Sequence, residues 1–223
     1  AGAEPVLYDF FTQTPKRPRP AGGIDFHPTH ADFGPATQDF HIGLGAIATP
    51  GVVKGLFTIH HDLGSLPMAR LVEPAAVAAR DGITMEPLQA FILSVVAAIF
   101  SATPESLVLY RSGQREGALL QDGETYRMPE LAQSFEALAA EGEALFYRGD
   151  MARQIADDCR SRGGHLTVDD LASYEVIKRV PLIRDHGGHR LGQNLQHLIG
   201  VNLPIRGLAN DGKLLIVDRG CDQ

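Results

Sequence analysis

The sequence is poor in the residues that mark disulfide-rich, metal-binding or nucleic-acid-binding proteins. It has only two cysteines, Cys159 and Cys221, and their spacing matches neither a disulfide framework nor a zinc site. Its 20 lysines and arginines are outnumbered by 27 aspartates and glutamates. Because phosphate binding requires clustered basic side chains, we expect no nucleic-acid partner. The one dense basic run, residues 16–19, is short and proline-rich, so we interpret it as a solvated loop.

No apolar run is long enough to cross a bilayer, so no membrane span is expected. A span needs about 20 apolar residues, whereas the longest run covers residues 91–100 and contains a serine. The chain has no initiator methionine and no signal-peptide pattern at Ala1, so we expect it to start inside a longer gene product or after processing. The sparse cysteines favour a cytoplasmic location, and a periplasmic or secreted location is the alternative because no leader is visible.

Helical periodicity fills the middle of the chain, and β-forming residues lie near its two ends. Residues 12–41 are rich in proline, glycine, histidine and aspartate, which predicts a long loop. Residues 86–101 are apolar nearly all round, which predicts a central helix. The pattern as a whole indicates an α+β protein whose strands come from distant parts of the chain. The predicted strands cover residues 5–11, 42–48, 174–183 and 189–191, and the predicted helices cover 52–63, 67–80, 86–101, 128–141 and 143–162, with a further helix capped by Thr167.

The histidines and glycines do not form a recognisable metal or cofactor motif. His27 and His30 form one close pair and His186 and His189 another, but neither pair has the i,i+4 spacing of helical metal ligands. The short Gly43-Leu-Gly run lacks the third glycine of a dinucleotide-binding loop. We therefore predict no metal site and no cofactor.

Four groups of short motifs occur in an order that resembles the γ-glutamyltranspeptidase family. They cover about residues 45 to 192, and because each is weak by itself, the order carries the resemblance. Their glycines, prolines and turn residues shape the backbone, so they identify the family without carrying its chemistry. The motifs are ATPGVVKGL (48–56) with HHDLGSLPM (60–68), VEPA (72–75) with AARDG (78–82), AAEG (139–142) with LFYRGDMA (145–152), and GGHLTVDDLASY (163–174).

The resemblance implies an N-terminal-nucleophile amidohydrolase, a layered α/β/β/α fold of which this chain holds a part. Residues 1–194 correspond to the large-subunit region, and residues 195–223 match nothing in the family. Family members are zymogens that cut themselves, and the small subunit from the same precursor begins with the threonine that attacks a γ-glutamyl or related acyl amide, as in glutathione-type substrates. This chain carries no catalytic residue of that kind, so the chain alone is expected to be inactive. The alternative is a non-catalytic remnant or interaction module of the same fold.

Position 11 is the informative departure from the family. Many members have Asp-Phe-Arg here, and that arginine grips the α-carboxylate of the substrate, whereas this chain has Asp9, Phe10 and Phe11. Phe11 is therefore the candidate substrate-binding position, although a phenyl ring cannot replace a bidentate guanidinium contact. Two explanations stay open: either Arg17 or Arg19 in the adjoining loop supplies the contact, or the acyl substrate differs.

Overall fold

The computed structural model describes residues 5–19, 22–186 and 189–193. The chain divides into two compact units. The larger one comprises Tyr8–Ile177, and the smaller one comprises the residues up to Leu7 and those from Lys178 onward. The division predicted between residues 1–194 and 195–223 lies outside the described residues.

The described strands are short, and they pair two by two. Their pairs are β1 with β6, β2 with β3, β4 with β5, and β7 with β8. The last three pairs are antiparallel. The strands are β1 (Leu7–Asp9), β2 (His27–Asp32), β3 (Thr37–Ile42), β4 (Ile83–Thr84), β5 (Thr125–Tyr126), β6 (Ile177–Arg179), β7 (Leu182–His186) and β8 (His189–Gln193). Strands thus lie near both ends of the chain, as predicted. β1 is shorter than the strand predicted at residues 5–11, and the strand predicted at residues 174–183 is split between β6 and the start of β7. β8 extends past the strand predicted at residues 189–191.

Helices fill the middle of the chain, which confirms the main prediction from periodicity. None of the helices within the described residues is long and apolar enough to cross a membrane. The helices are α1 (Val52–Leu63), α2 (Met68–Asp81), α3 (Pro87–Val95), α4 (Ala97–Phe100), α5 (Pro104–Tyr110), α6 (Pro129–Glu141), α7 (Ala144–Tyr147), α8 (Asp150–Arg162) and α9 (Val168–Ala172).

The prediction of a loop throughout residues 12–41 is wrong, because residues 27–42 form the β2–β3 hairpin. Thr29 is the register partner of Phe40, and Ala31 on β2 is fully buried. The strand predicted at residues 42–48 is also wrong. The carboxylate of Asp25 accepts the N–H of Leu44 at 2.7 Å, and its backbone oxygen accepts the N–H of Gly45 at 2.7 Å, so the chain turns into a 3₁₀ helix at Leu44–Ala46.

The apolar run at residues 86–101 is not a central helix, which corrects the prediction. It breaks at Val96, whose backbone is non-helical, into α3 and α4. Only one side of α3 is covered: Leu93 is buried, but Leu88 is 69% exposed and Phe91 is 56% exposed. The buried side packs into a small apolar cluster with Met85, Leu119 and Leu120. Apolar composition all round a helix therefore does not mark burial here.

The main core lies where α7, α8 and α9 meet. Its buried members are Tyr147, Ala152, Cys159, Leu166, Leu171 and Tyr174. Cys159 is buried and is not in a disulfide, and Cys221 lies outside the described residues. The predicted cap of α9 is confirmed: Thr167 Oγ1 accepts the N–H of Asp170, and the Asp170 carboxylate accepts the N–H of Thr167 at 2.9 Å.

Candidate functional site

Phe11 presents its side chain to solvent from a backbone that is held in place. Phe11 lies two positions after the end of β1 and is 71% exposed. Its N–H donates to Asp9 Oδ1 at 3.3 Å, and its carbonyl oxygen accepts from the Tyr174 hydroxyl at 2.9 Å. Because Asp9 and Tyr174 are both buried, the backbone that bears this exposed ring is held by groups in the interior.

The start of α1 packs against the same short segment, and glycine is required for the approach. A Cβ atom on Gly51 would lie 2.1 Å from both the Phe10 carbonyl oxygen and the Tyr174 hydroxyl. On Gly55 it would lie 2.2 Å from Cγ of the Phe10 ring. Side chains at these two positions would therefore displace the backbone that carries Phe11.

A pair of backbone bonds fixes the chain just after Phe11. The N–H of Thr49 donates to the Gln13 carbonyl at 2.8 Å, and the N–H of Gln13 donates to the Thr49 carbonyl at 3.2 Å. Thr49 is almost fully buried just before α1. The segment from Asp9 to Gln13 is thus tied at both ends to interior groups of the larger unit.

Tyr174 reaches this segment from the main core. Its ring stacks on that of Tyr147 with centroids 5.7 Å apart and an interplanar angle of 18°. Burial raises the pKa of Tyr174, and the nearby charge of Asp9 raises it further. The phenol is therefore neutral at physiological pH, and its O–H is available to donate to Phe11.

Tyr147 holds the first turn of α1 in the same way. Its hydroxyl donates to the Pro50 carbonyl at 2.9 Å and accepts the N–H of Lys54 at 3.0 Å. Burial raises its pKa to about 12. The Lys54 ammonium lies 5.7 Å from the centroid of this ring and forms a partly buried ion pair with Glu143.

Arg19 has a structural role that competes with substrate binding. Its Nη1 donates to the carbonyl oxygens of Arg160 at 2.8 Å and Cys159 at 3.2 Å, so it caps the C-terminal end of α8. A cation at this end is favoured by the helix dipole. Its backbone N–H also donates to His165 Nδ1 at 2.9 Å. The other arginine of the loop, Arg17, is exposed, and within the described residues no hydrogen bond holds its side chain at a helix end.

The histidines do not gather into a cluster in the part of the chain that the structure describes. His27 Nδ1 lies 3.4 Å from Asp25, and His30 Nδ1 lies 2.5 Å from Asp39, each with one carboxylate. Residues 5–19, 22–186 and 189–193 contain no group of three histidine, cysteine or acidic side chains placed to hold a metal. His186 and His189 are register partners at the ends of β7 and β8.

The sequence did not single out Tyr174, Tyr147 or Asp9 as site residues. Both tyrosines fall within the family-like motifs, but a motif does not say what its side chains touch. One signal was available: two glycines at the start of a helix, Gly51 and Gly55, indicate that another backbone or ring comes close. The partner, Phe10, lies about 40 residues earlier and could not be identified from that spacing.

Comparison with known proteins decides the family. The gamma-glutamyltranspeptidase family model matches residues 25–199. The chain belongs to this family. The resemblance seen in the sequence motifs is therefore confirmed.

The match extends over only part of each curated relative. The chain is 35% identical to Glutathione hydrolase 3 of Arabidopsis thaliana over 135 residues, which is 60% of this chain and 21% of that protein. It is 32% identical to the Glutathione hydrolase proenzyme of Escherichia coli (strain K12) over 147 residues, 66% of this chain and 25% of the relative. Acylase ACY 1 proenzyme of Pseudomonas sp. (strain V22) is 28% identical over 150 residues, 67% and 26% of the two chains. The chain thus spans about a quarter of the length of these relatives.

A solved structure shows the same fold. The gamma-glutamyltranspeptidase of Helicobacter pylori aligns with a TM-score of 0.69 at 24% identity, over 84% of this chain and 52% of that chain. The predicted fold class, a partial N-terminal-nucleophile hydrolase fold of α+β type, is therefore confirmed.

Proposed function

We propose that this region forms part of the large-subunit portion of an amidohydrolase that cleaves or transfers γ-glutamyl or related acyl groups. The family match over residues 25–199 supports this proposal, as do the relatives named hydrolase or acylase proenzymes. In this proposal the nucleophilic threonine and the small subunit come from the rest of the same precursor. The relatives have such further sequence, because the match covers only about a quarter of their length. The described region then contributes substrate positioning to the shared site.

The observation that carries the proposal is the combination found at position 11. An apolar ring is 71% exposed, yet the backbone that bears it is fixed by Asp9 on one side and by Tyr174 on the other. A fixed backbone beneath an exposed apolar ring is what a binding surface needs, because it limits where that ring can lie. We therefore propose that Phe11 lines the wall of the acyl-donor pocket.

Phenylalanine at this position changes which acyl donor the pocket accepts. An α-carboxylate that enters without a guanidinium partner loses its hydration uncompensated, which costs about 1–3 kcal/mol or more for a charged group. The cap formed by Arg19 at the end of α8 removes one of the two candidate replacements. We propose that donors without the α-carboxylate, such as glutaryl amides, are favoured relative to their preference in relatives with arginine. The competing explanation is that Arg17 binds the α-carboxylate of a γ-glutamyl donor in place of the missing arginine.

The complete precursor tests the proposed activity. We expect it to cut itself, with threonine at the new N-terminus of the smaller product, and then to hydrolyse γ-glutamyl or glutaryl p-nitroanilide. N-terminal sequencing identifies the cut, and the release of p-nitroaniline measures turnover. The 223-residue chain alone is the matched control and should show no turnover. A folded precursor that neither cuts itself nor hydrolyses any acyl anilide would contradict the proposal and favour a non-catalytic remnant.

A further inference from the structure

We infer that Tyr174 is a positioning residue for the acyl donor and acts through the backbone of Phe11. The inference rests on the proposed function, because it requires position 11 to line the acyl pocket. Tyr174 itself is buried, at 2% exposure, so its contribution is to fix Phe11 and not to touch the donor. The motif at residues 163–174 ends with this tyrosine, and it identifies the family without giving the tyrosine a role.

The contact that carries the inference joins two distant parts of the chain. The Tyr174 hydroxyl donates to the Phe11 carbonyl oxygen at 2.9 Å, between residues 163 positions apart. The bond leaves from the interior and ends on the backbone of an exposed residue. A hydrogen bond of this kind restricts rotation of the peptide group that follows Phe11, and so it restricts the direction of the Phe11 side chain.

The phenol is itself held at several points. Its ring stacks on Tyr147 in the main core, and its own N–H donates to the Leu171 carbonyl at 3.1 Å, at the end of α9. Its hydroxyl lies against Gly51, where a Cβ atom would come within 2.1 Å. The hydroxyl therefore has little freedom to follow Phe11 if the loop moves. A donor fixed in this way sets the position of its acceptor.

Tyr147 provides a matched comparison inside the same core. Both rings are buried and both hydroxyls donate to a backbone carbonyl, but Tyr147 donates to Pro50, at the start of α1, and not to Phe11. Loss of either hydroxyl is expected to lower stability. Only the loss at Tyr174 is expected to alter the choice of acyl donor.

The test is a double-mutant cycle in the complete, self-cleaved precursor. The quantity measured is the ratio of kcat/KM for γ-glutamyl p-nitroanilide to that for glutaryl p-nitroanilide, with rates normalised to the amount of cleaved protein. We expect Phe11→Arg alone to raise this ratio about tenfold. In the Tyr174→Phe background the same change should raise the ratio about threefold or less, chiefly through a higher KM for the γ-glutamyl donor. In the Tyr147→Phe background it should keep the full effect.

The outcomes separate this inference from the proposed function. If Phe11→Arg alone leaves the ratio unchanged, position 11 does not line the acyl pocket, and both the proposal and the inference fail. If Phe11→Arg acts equally in the wild-type and Tyr174→Phe backgrounds, the inference fails and the proposed function stands. Should Tyr174→Phe fail to fold or cleave, Gly51→Ala replaces it in the cycle, since its Cβ would displace both the phenol and the Phe10 carbonyl. An undiminished effect of Phe11→Arg in that background would also overturn the inference.

Discussion

The hydroxyl of Tyr147 donates to the carbonyl oxygen of Pro50 at 2.9 Å, across 97 positions of sequence. The hydroxyl oxygen of Tyr147 also accepts the N–H of Lys54 at 3.0 Å. Lys54 is the third residue of α1, whose N-cap Gly51 has no side chain to satisfy the free N–H groups of the first turn. A tyrosine from α7 therefore performs part of the capping that the local sequence cannot.

Removing that hydroxyl should weaken the chain measurably. Tyr147→Phe leaves the Lys54 N–H and the Pro50 carbonyl without their buried partner, which costs about 1–3 kcal/mol of unfolding free energy. The midpoint of urea unfolding measures the loss. Ser161→Ala is the control, because the hydrogen bond from the Ser161 hydroxyl to the Asp157 carbonyl lies at the surface and its loss should cost about 0.5 kcal/mol or less. Equal midpoints for the two variants would contradict the capping role.

Gly55→Ala should destabilise the chain although alanine is the better helix former. In an open helix this substitution gains about 1 kcal/mol. Here the added Cβ would lie 2.2 Å from the Phe10 ring, and overpacking of that kind costs about 1–3 kcal/mol or more. Gly113→Ala is the control, because nothing lies within 4 Å of its added Cβ. The midpoint temperature of thermal unfolding should be lower for Gly55→Ala than for the wild type, and equal or higher for Gly113→Ala. A stabilised Gly55→Ala would show that α1 does not pack on Phe10 as described.

The carboxylate of Asp170 should make part of the stability depend on pH. Burial raises its pKa, but the N–H of Lys16, at 2.8 Å, and the hydrogen bonds from Thr167 outweigh burial and leave the pKa below its usual value. Because the folded pKa is the lower one, the stabilisation is complete above about pH 4 and is lost as pH falls through the folded pKa.

Asp170→Asn tests this dependence. The substitution should lower the free energy of unfolding by about 1–3 kcal/mol near neutral pH. The difference in unfolding free energy from the wild type should become smaller as the pH falls below about 4. Asp169→Asn, at the exposed neighbouring position of α9, is the control and should change little. Denaturant unfolding at a series of pH values measures both. A gap that stays constant with pH would exclude the carboxylate as its cause.

The exposed side of α3 should bind a hydrophobic dye in the isolated chain. Leu88 and Ile92 lie one turn apart on this helix and are 69% and 48% exposed. The double substitution Leu88→Ser and Ile92→Ser should lower the fluorescence of the bound dye several-fold, because contiguous apolar surface is removed. Leu63→Ser removes a single exposed leucine at the end of α1 and should have little effect. Equal dye signals in all three proteins would locate the apolar surface elsewhere.

The helices were predictable because their signals are local. The boundaries of α2 and α6 follow from apolar spacing closed by Gly82 and Gly142, and the cap of α9 follows from Thr167 and the acid three positions later. The β2–β3 hairpin was missed because its residues look like a loop: histidine, aspartate and proline are common in it. Its register depends on backbone pairing and on one buried alanine, which composition does not report.

The site was only half predictable, for a different reason. Phe11 could be named as a candidate because a family position is occupied by an unusual residue, and its role stays a prediction. The groups that hold it, Asp9, Gly51 and Tyr174, come together from three distant parts of the chain. Pattern analysis within a window cannot bring such residues together, because the pairing is a property of the fold.

The donor preference of the complete, self-cleaved protein tests the central claim about position 11 most directly. The measurement compares kcat/KM for γ-glutamyl and glutaryl p-nitroanilide in the wild type, in Phe11→Arg, and in Phe11→Leu as the uncharged control, with Arg17→Ala to test the competing arginine. The account predicts that Phe11→Arg raises the γ-glutamyl preference about tenfold, equivalent to about 1.4 kcal/mol, while Phe11→Leu and Arg17→Ala leave the ratio within about twofold of the wild type. A wild type already strongly selective for γ-glutamyl, with a ratio that Phe11→Arg does not change and Arg17→Ala abolishes, would contradict it.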